Sequence, residues 1–177
     1  MDSEHDVANL SLRYFRSGYF CSEAILRAFN ELYNLGLDEK YYKIASGFGS
    51  GMGESGCSCG AITGSVMVLG LIVGRSKNYQ SEKVVYEAVR ELHDTFRANH
   101  GALCCRILTK NVIWNSAEHK TLCEDYVLDA AQISCGIINR KLHFPPFCTE
   151  KLTITKRKIA IKKNPCALLR YIFGRKK

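Results

Sequence analysis

The 177-residue sequence contains no apolar run long enough to cross a bilayer. Its longest uncharged apolar stretch, 60–74, holds 15 residues with four glycines, whereas a spanning helix needs about 20. The stretch therefore reads as a buried helix. The first ten residues, MDSEHDVANL, are acidic and lack a basic start followed by an apolar segment, so no secretory signal is read and a reducing cytoplasm is the expected setting. No Cys-x-x-Cys-His motif occurs, and covalent haem is not expected. Acidic residues are absent beyond Glu150, where 151–177 carries 10 Lys/Arg, leaving 15 Lys/Arg against 17 Asp/Glu in 1–150. The net charge of +8 is thus a tail property. Without a basic face on the main body, specific nucleic-acid binding is not expected.

What is present is cysteine: nine residues, an odd number that leaves at least one thiol unpaired. They are too few for a disulfide scaffold, and at 19.9 kDa the chain can bury a core without staples. In a reducing compartment, clustered cysteines point to metal ligands or redox thiols.

Apolar spacing predicts helices through most of 1–144. Ala24, Ile25, Ala28, Phe29 and Leu32 form an amphipathic stripe, with Cys21 in its first turn. Asp38 caps a short helix through Tyr42, Ile44 and Ala45. The glycine-rich run 47–56 reads as a loop, leading through Cys57-Ser58-Cys59 into the apolar 60–74 helix. There, Gly60/Gly64 and Gly70/Gly74 predict two notches for close helix approach, and that helix is expected to be central. Val84, Val85, Ala88, Leu92, Thr95 and Phe96 define one face of a helix over 82–99 that Gly101 stops. A short element surrounds Leu103–Leu108, and a long final helix covers 118–140. The fold class is all-α, a compact bundle of about five to seven helices. Pro145-Pro146 ends it, and 145–177 is a basic extension with a predicted strand over 151–163 and a short amphipathic helix after Pro165. With Leu168, Leu169, Ile172 and Phe173 among its cations, the extension suits an anionic membrane surface or an acidic partner.

Cys21, Cys59, Cys105 and Cys123 match no local zinc-finger spacing, so only a tertiary fold gathers them. Each is predicted near a helix start or flanking turn, where unpaired N–H groups favour thiolate. Cys57 and Cys104 lie within two residues of this set and are candidate additional ligands or a resolving thiol. Cys135 reads as a buried hydrophobe, and Cys148 and Cys166 as incidental tail residues. Gly51-Met52-Gly53-Glu54-Ser55-Gly56 satisfies G-x-G-x-x-G but follows a helix and not a strand, which argues against dinucleotide binding. Gly53, Gly56 and Gly60 are instead expected to bring backbone N–H groups up to an anionic centre. His93 and His100 are read as solvated or capping, Glu91 and Asp94 as polar-face charges, and Trp114 as packing.

These residues resemble the C_GCAxxG_C_C family of redox-active proteins. Cys21, in Phe20-Cys21-Ser22-Glu23-Ala24, matches its first cysteine. Cys59-Gly60-Ala61-Ile62-Thr63-Gly64 matches the C-G-A-x-x-G motif, and Cys105 and Cys123 match the last two cysteines. The resemblance covers roughly 5–140 and implies a helical domain whose four cysteines act together. A related domain in split-Soret-type cytochromes implies an iron–sulfur cluster as occupant, and four thiolates also suit zinc. Three functions stay open, and with them whether the protein is an enzyme. One is an iron–sulfur or metal protein transferring electrons to an unknown redox partner, another a metal-free thiol–disulfide oxidoreductase, and the third a zinc-stabilised interaction module. The expected location is cytoplasmic, with the tail peripheral to the inner face of the membrane.

Overall fold

A computed structural model describes residues 3–141. The tail elements predicted over 145–177, with Cys148 and Cys166, lie outside the described residues. Eight helices follow in order: α1 (Ser3–Arg16), α2 (Cys21–Tyr33), α3 (Glu39–Ser46), α4 (Gly49–Met52), α5 (Gly60–Val73), α6 (Lys83–His100), α7 (Cys105–Leu108) and α8 (Ala117–Lys141). Six have at least eight residues, and α4 and α7 are single turns of four. The described residues form an all-α bundle, and the only β feature among them is one isolated antiparallel bridge between Ser58 and Cys104. No helix among them is long and apolar enough to cross a membrane.

Local chemistry sets the helix ends. At the start of α2, Glu23 reaches back to accept from the Phe20 N–H at 3.0 Å, which satisfies one of the amides a helix start leaves open. Asn34 closes it in a left-handed conformation at φ 50°, as C-terminal Asn tolerates. Asp38 caps α3 as expected, its Oδ1 accepting from the Lys40 N–H at 2.9 Å. Ser116 caps α8, its Oγ accepting from the His119 N–H at 3.1 Å.

The apolar stripe of α2 buries Ile25 and Phe29 completely, together with Ile62 and Leu69 of α5, Leu92 and Phe96 of α6, and Ile137 and Ile138 of α8. Helix α5 packs against α2, α4, α6 and α8, while α1 packs on α2 and α8. Burial on α6 starts only at Ala88, so Val84, which spacing assigns to the inner face, is 49% exposed.

The C-G-A-x-x-G motif is a packing device. A Cβ on Gly64 would stand 2.8 Å from the Ser22 Cα and carbonyl oxygen. One on Gly60 would meet Cys21 Cβ at 3.1 Å and the Phe48 oxygen at 3.2 Å. The two glycines let the start of α5 lie directly on the first turn of α2, where Cys21 sits. The second expected notch does not form: Gly70 faces open space and Gly74 lies beyond the last turn of α5.

Candidate functional site

The glycine-rich run folds back over the start of α7. Five consecutive residues, Ser50, Gly51, Met52, Gly53 and Glu54, have φ of 52°, 71°, 64°, 61° and 64°. They form a left-handed turn, closed by Met52 N–H to Phe48 O at 3.4 Å and Gly53 N–H to Gly49 O at 3.0 Å. An L-residue resists this conformation by roughly 1–2 kcal/mol, and the alternating glycines relieve part of that. The turn's inner face rests on Cys105, because a Cβ on Gly51 would lie 2.6 Å from Cys105 Cβ and 3.2 Å from its Sγ.

Four backbone hydrogen bonds then fix this region, one tying the turn to Cys57 and three locking the two cysteine segments in register. Cys57 N–H reaches Gly51 O at 3.0 Å, Cys59 N–H reaches Leu103 O at 2.9 Å, Cys105 N–H reaches Cys57 O at 2.6 Å, and Arg106 N–H reaches Gly56 O at 3.0 Å. The Ser58–Cys104 bridge lies at the centre of this clamp. Hydrogen bonds of this kind need no particular side chains, so the sequence gives no sign of them.

Cys21, Cys59, Cys105 and Cys123 all line one cavity of about 380 Å³. Cys21 is the first residue of α2, Cys59 the N-cap of α5 and Cys105 the first residue of α7. Cys123 departs from the expected helix start, since it lies in the second turn of α8. Cys21, Cys57, Cys59, Cys104, Cys105 and Cys123 are free thiols, and the four on the cavity are 8%, 4%, 5% and 9% exposed in chain order. Cys57 is exposed and Cys104 half-buried, and neither lines the cavity. Cys104 Sγ donates instead to Gly56 O at 2.9 Å. Of the three glycines expected near the centre, Gly60 borders the cavity while Gly53 and Gly56 stand outside it.

The electrostatics reverse the expectation that helix starts favour the thiolate. Interaction with Cys123 raises the Cys21 pKa well above the ordinary 9.0, with burial adding to the effect. The same interaction lowers the Cys123 pKa against the pull of burial. Burial pushes Cys59 up to about 12. The Ala61 and Ile62 amides at the start of α5 oppose this shift, but without a capping hydrogen bond. Burial, with Cys123 and Cys104 nearby, pushes Cys105 up to about 11. Desolvation therefore outweighs the helix dipole at both helix starts. Of the four, Cys123 is the one shifted toward the thiolate.

This distribution has a pH signature. Groups whose pKa rises on folding contribute stability that is fully present below the unfolded value and is lost as pH climbs through the folded one. The window runs from the ordinary thiol value of 9.0 to about 12 at Cys59. The urea midpoint is expected to be lower at pH 10.5 than at pH 8, and Cys59→Ala to shrink that difference. An unchanged midpoint in the parent chain would contradict the assignment.

Three further residues join the site without having been read from the sequence as part of it. His119 lies one turn before Cys123, with Nε2 3.7 Å from Cys123 Sγ and its ring 4.3 Å from that of Trp114. Burial lowers its pKa, which favours the neutral imidazole. An i, i+4 His–Cys pair on a predicted helix was the available signal. Tyr126 closes the cavity and donates to Leu108 O at 3.0 Å, while Trp114 forms part of the wall. His100 turns to Asp129 at 2.7 Å, and neither it nor His93 lines the cavity. Among the described residues, no group of three or more His, Cys, Asp or Glu side chains could hold a metal ion.

The chain matches no curated protein and no solved structure. A family model described as "Putative redox-active protein (C_GCAxxG_C_C)" matches residues 19–137, a span that contains all four cavity cysteines and the glycine motif that seats α5 on α2. The chain belongs to the C_GCAxxG_C_C family.

Proposed function

We propose that the protein carries out two-electron thiol chemistry at the Cys21–Cys123 pair. One arrangement carries the reading: Cys21 and Cys123 line the same cavity, with His119 Nε2 3.7 Å from Cys123 Sγ, and the Cys123 pKa is lowered while that of Cys21 is raised. Cys123 is the nucleophile, since the thiolate is the attacking form. His119 stands beside it as a neutral imidazole, positioned to take up the thiol proton. Cys21 is the resolving thiol. Oxidation forms one S–S bond and releases two electrons and two protons to the acceptor. Cys59 and Cys105, held as thiols by burial, complete the cavity floor.

A second reading rests on a different observation: four separate elements each deliver one thiol to the same cavity. Four thiolates are the donor set of iron–sulfur clusters, and Cys21, Cys59, Cys105 and Cys123 would hold one. Bound there, it would supply one-electron transfer. Because no three donors among the described residues form a group suited to a single ion, zinc ranks below both.

One preparation separates the three. Protein purified without oxygen is expected to be colourless and free of iron and sulfide. On mild oxidation it should lose the mass of two hydrogens, with Cys21 and Cys123 joined in the peptide map. Cys21→Ser and Cys123→Ser should each abolish that link. Stoichiometric iron and sulfide would put the cluster first, and stoichiometric zinc without a redox response would put the interaction module first.

A further inference from the structure

The same cavity limits what can reach the thiols. An enzyme that acts on folded protein disulfides must present its nucleophile where another chain's backbone can approach. Here Cys123 is 9% exposed and Cys21 8%, both at the wall of a recess of about 380 Å³. That volume falls in the range of small-molecule sites, near its lower end. Entry favours a compact molecule over a polypeptide.

The walls specify its chemistry. Phe15, Tyr19, Phe20, Trp114 and Tyr126 surround the thiols, so the lining is aromatic. Part of it is held rigid before anything binds. The Arg27 guanidinium lies 4.1 Å from the Tyr19 ring centre and 3.9 Å from that of Tyr42, a cation sandwiched between two rings. Tyr14 packs edge-on to Tyr19 at 5.8 Å. Trp114 rests on His119, so the aromatic wall and the imidazole beside Cys123 form one surface. Two charges on the wall, Arg16 and Glu124, bind each other through paired contacts of 2.9 and 2.6 Å, which leaves them neutralised as a pair. Lys120 at the rim is exposed and stays solvated. An uncharged body with flat apolar faces fits this lining, and a highly charged one does not.

Resting on the Cys21–Cys123 reading, we infer that the oxidant is a small, uncharged organic disulfide with aromatic or apolar substituents, which enters the aromatic recess and is reduced there. Cys123 passes its proton to His119, whose Nε2 lies 3.7 Å from its sulfur, and attacks one sulfur of the substrate. That forms a Cys123–substrate mixed disulfide and expels the other half as a thiolate, which takes up a proton. Cys21 then gives its proton to the departing second half and attacks Cys123 Sγ, closing the Cys21–Cys123 bond. One substrate disulfide becomes two thiols, and the protein dithiol becomes one disulfide.

The test compares three oxidants on the reduced full-length chain: dithiodipyridine, glutathione disulfide and insulin. Exposed Cys57 serves as an internal reference for each reagent's intrinsic reactivity, and peptide mapping reads the Cys21–Cys123 link against modification of Cys57. The ratio of the two rates is expected to be about tenfold higher for dithiodipyridine than for glutathione disulfide, with insulin reacting at Cys57 alone. Trp114→Ala, at a position already 39% exposed and so tolerable to the fold, should lower the dithiodipyridine ratio roughly three- to tenfold. Equal ratios for the two small reagents, or a Cys21–Cys123 link made by insulin, would overturn the substrate class while leaving the thiol pair intact. Failure of all three reagents to produce the link would overturn the pair itself, and the substrate with it.

Discussion

Gly64→Ala is expected to lower the stability of the fold by about 1–2 kcal/mol, even though alanine is the better helix former. A methyl group at 64 would meet Ser22 Cα and its carbonyl oxygen at 2.8 Å. Those are backbone atoms in the first turn of α2, so no rotamer change relieves the contact and the two helices must separate. Overpacking of this kind costs roughly 1–3 kcal/mol and sometimes more, against roughly 1 kcal/mol that alanine returns in helix propensity. Separation also moves Cys21, one residue away, out of line with Cys123. Gly70 in the same helix supplies the control, because nothing lies within 4 Å of its would-be Cβ. Gly70→Ala should therefore stabilise by roughly 0.5–1 kcal/mol. Urea denaturation reads both, with a midpoint falling by about 1 M for Gly64→Ala and rising for Gly70→Ala. Midpoints that move together would show that α5 does not sit on α2 as described.

The left-handed turn gives the second large effect. Gly51→Ala forces an L-residue to φ 71°, which costs about 1–2 kcal/mol, and places a methyl 2.6 Å from Cys105 Cβ. Cys105 is the first residue of α7 and is pinned through its N–H to Cys57, so it cannot swing aside without breaking the clamp. A total loss of about 3 kcal/mol is expected, with Cys105 becoming open to alkylation. Three residues further on, Glu54 is exposed and also left-handed at φ 64°. Glu54→Gly relieves the conformation there and should raise stability by up to about 1 kcal/mol. Opposite signs within one turn are hard to obtain unless its backbone is left-handed. If both variants lose stability equally, the turn has another shape.

Much of this architecture was legible because its signals are local. The stripe from Ala24 to Phe29, the Asp38 cap and the apolar run after Cys59 each depend on residues within a few positions. The motif's spacing also foretold a notch, although Gly70/Gly74 has the same spacing and makes none: a notch needs a neighbour, and spacing cannot name one. The glycine-rich run was recognised as irregular, but its handedness was hidden, since Ser50, Met52 and Glu54 do not favour that conformation by themselves. The preference for thiolates at helix starts failed for a quantitative reason. Burial depends on the whole fold, and at Cys59 and Cys105 it exceeds what a few amides return. His119 differs from His93 and His100 in its helical register, four residues before Cys123 on α8, which brings its ring to that sulfur.

The Cys21–Cys123 bond proposed above would also tie electron chemistry to chain topology. A bond between them closes a loop of about 100 residues, which in the chain-entropy picture restricts the unfolded ensemble by roughly 4–5 kcal/mol. Thermodynamic linkage works in both directions: a bond that favours the fold is favoured by it to the same degree. For a two-electron couple this corresponds to a potential on the order of 100 mV lower in the folded chain than in the unfolded one. Heat or denaturant that opens the bundle would therefore weaken the protein as a reductant before any thiol is chemically altered.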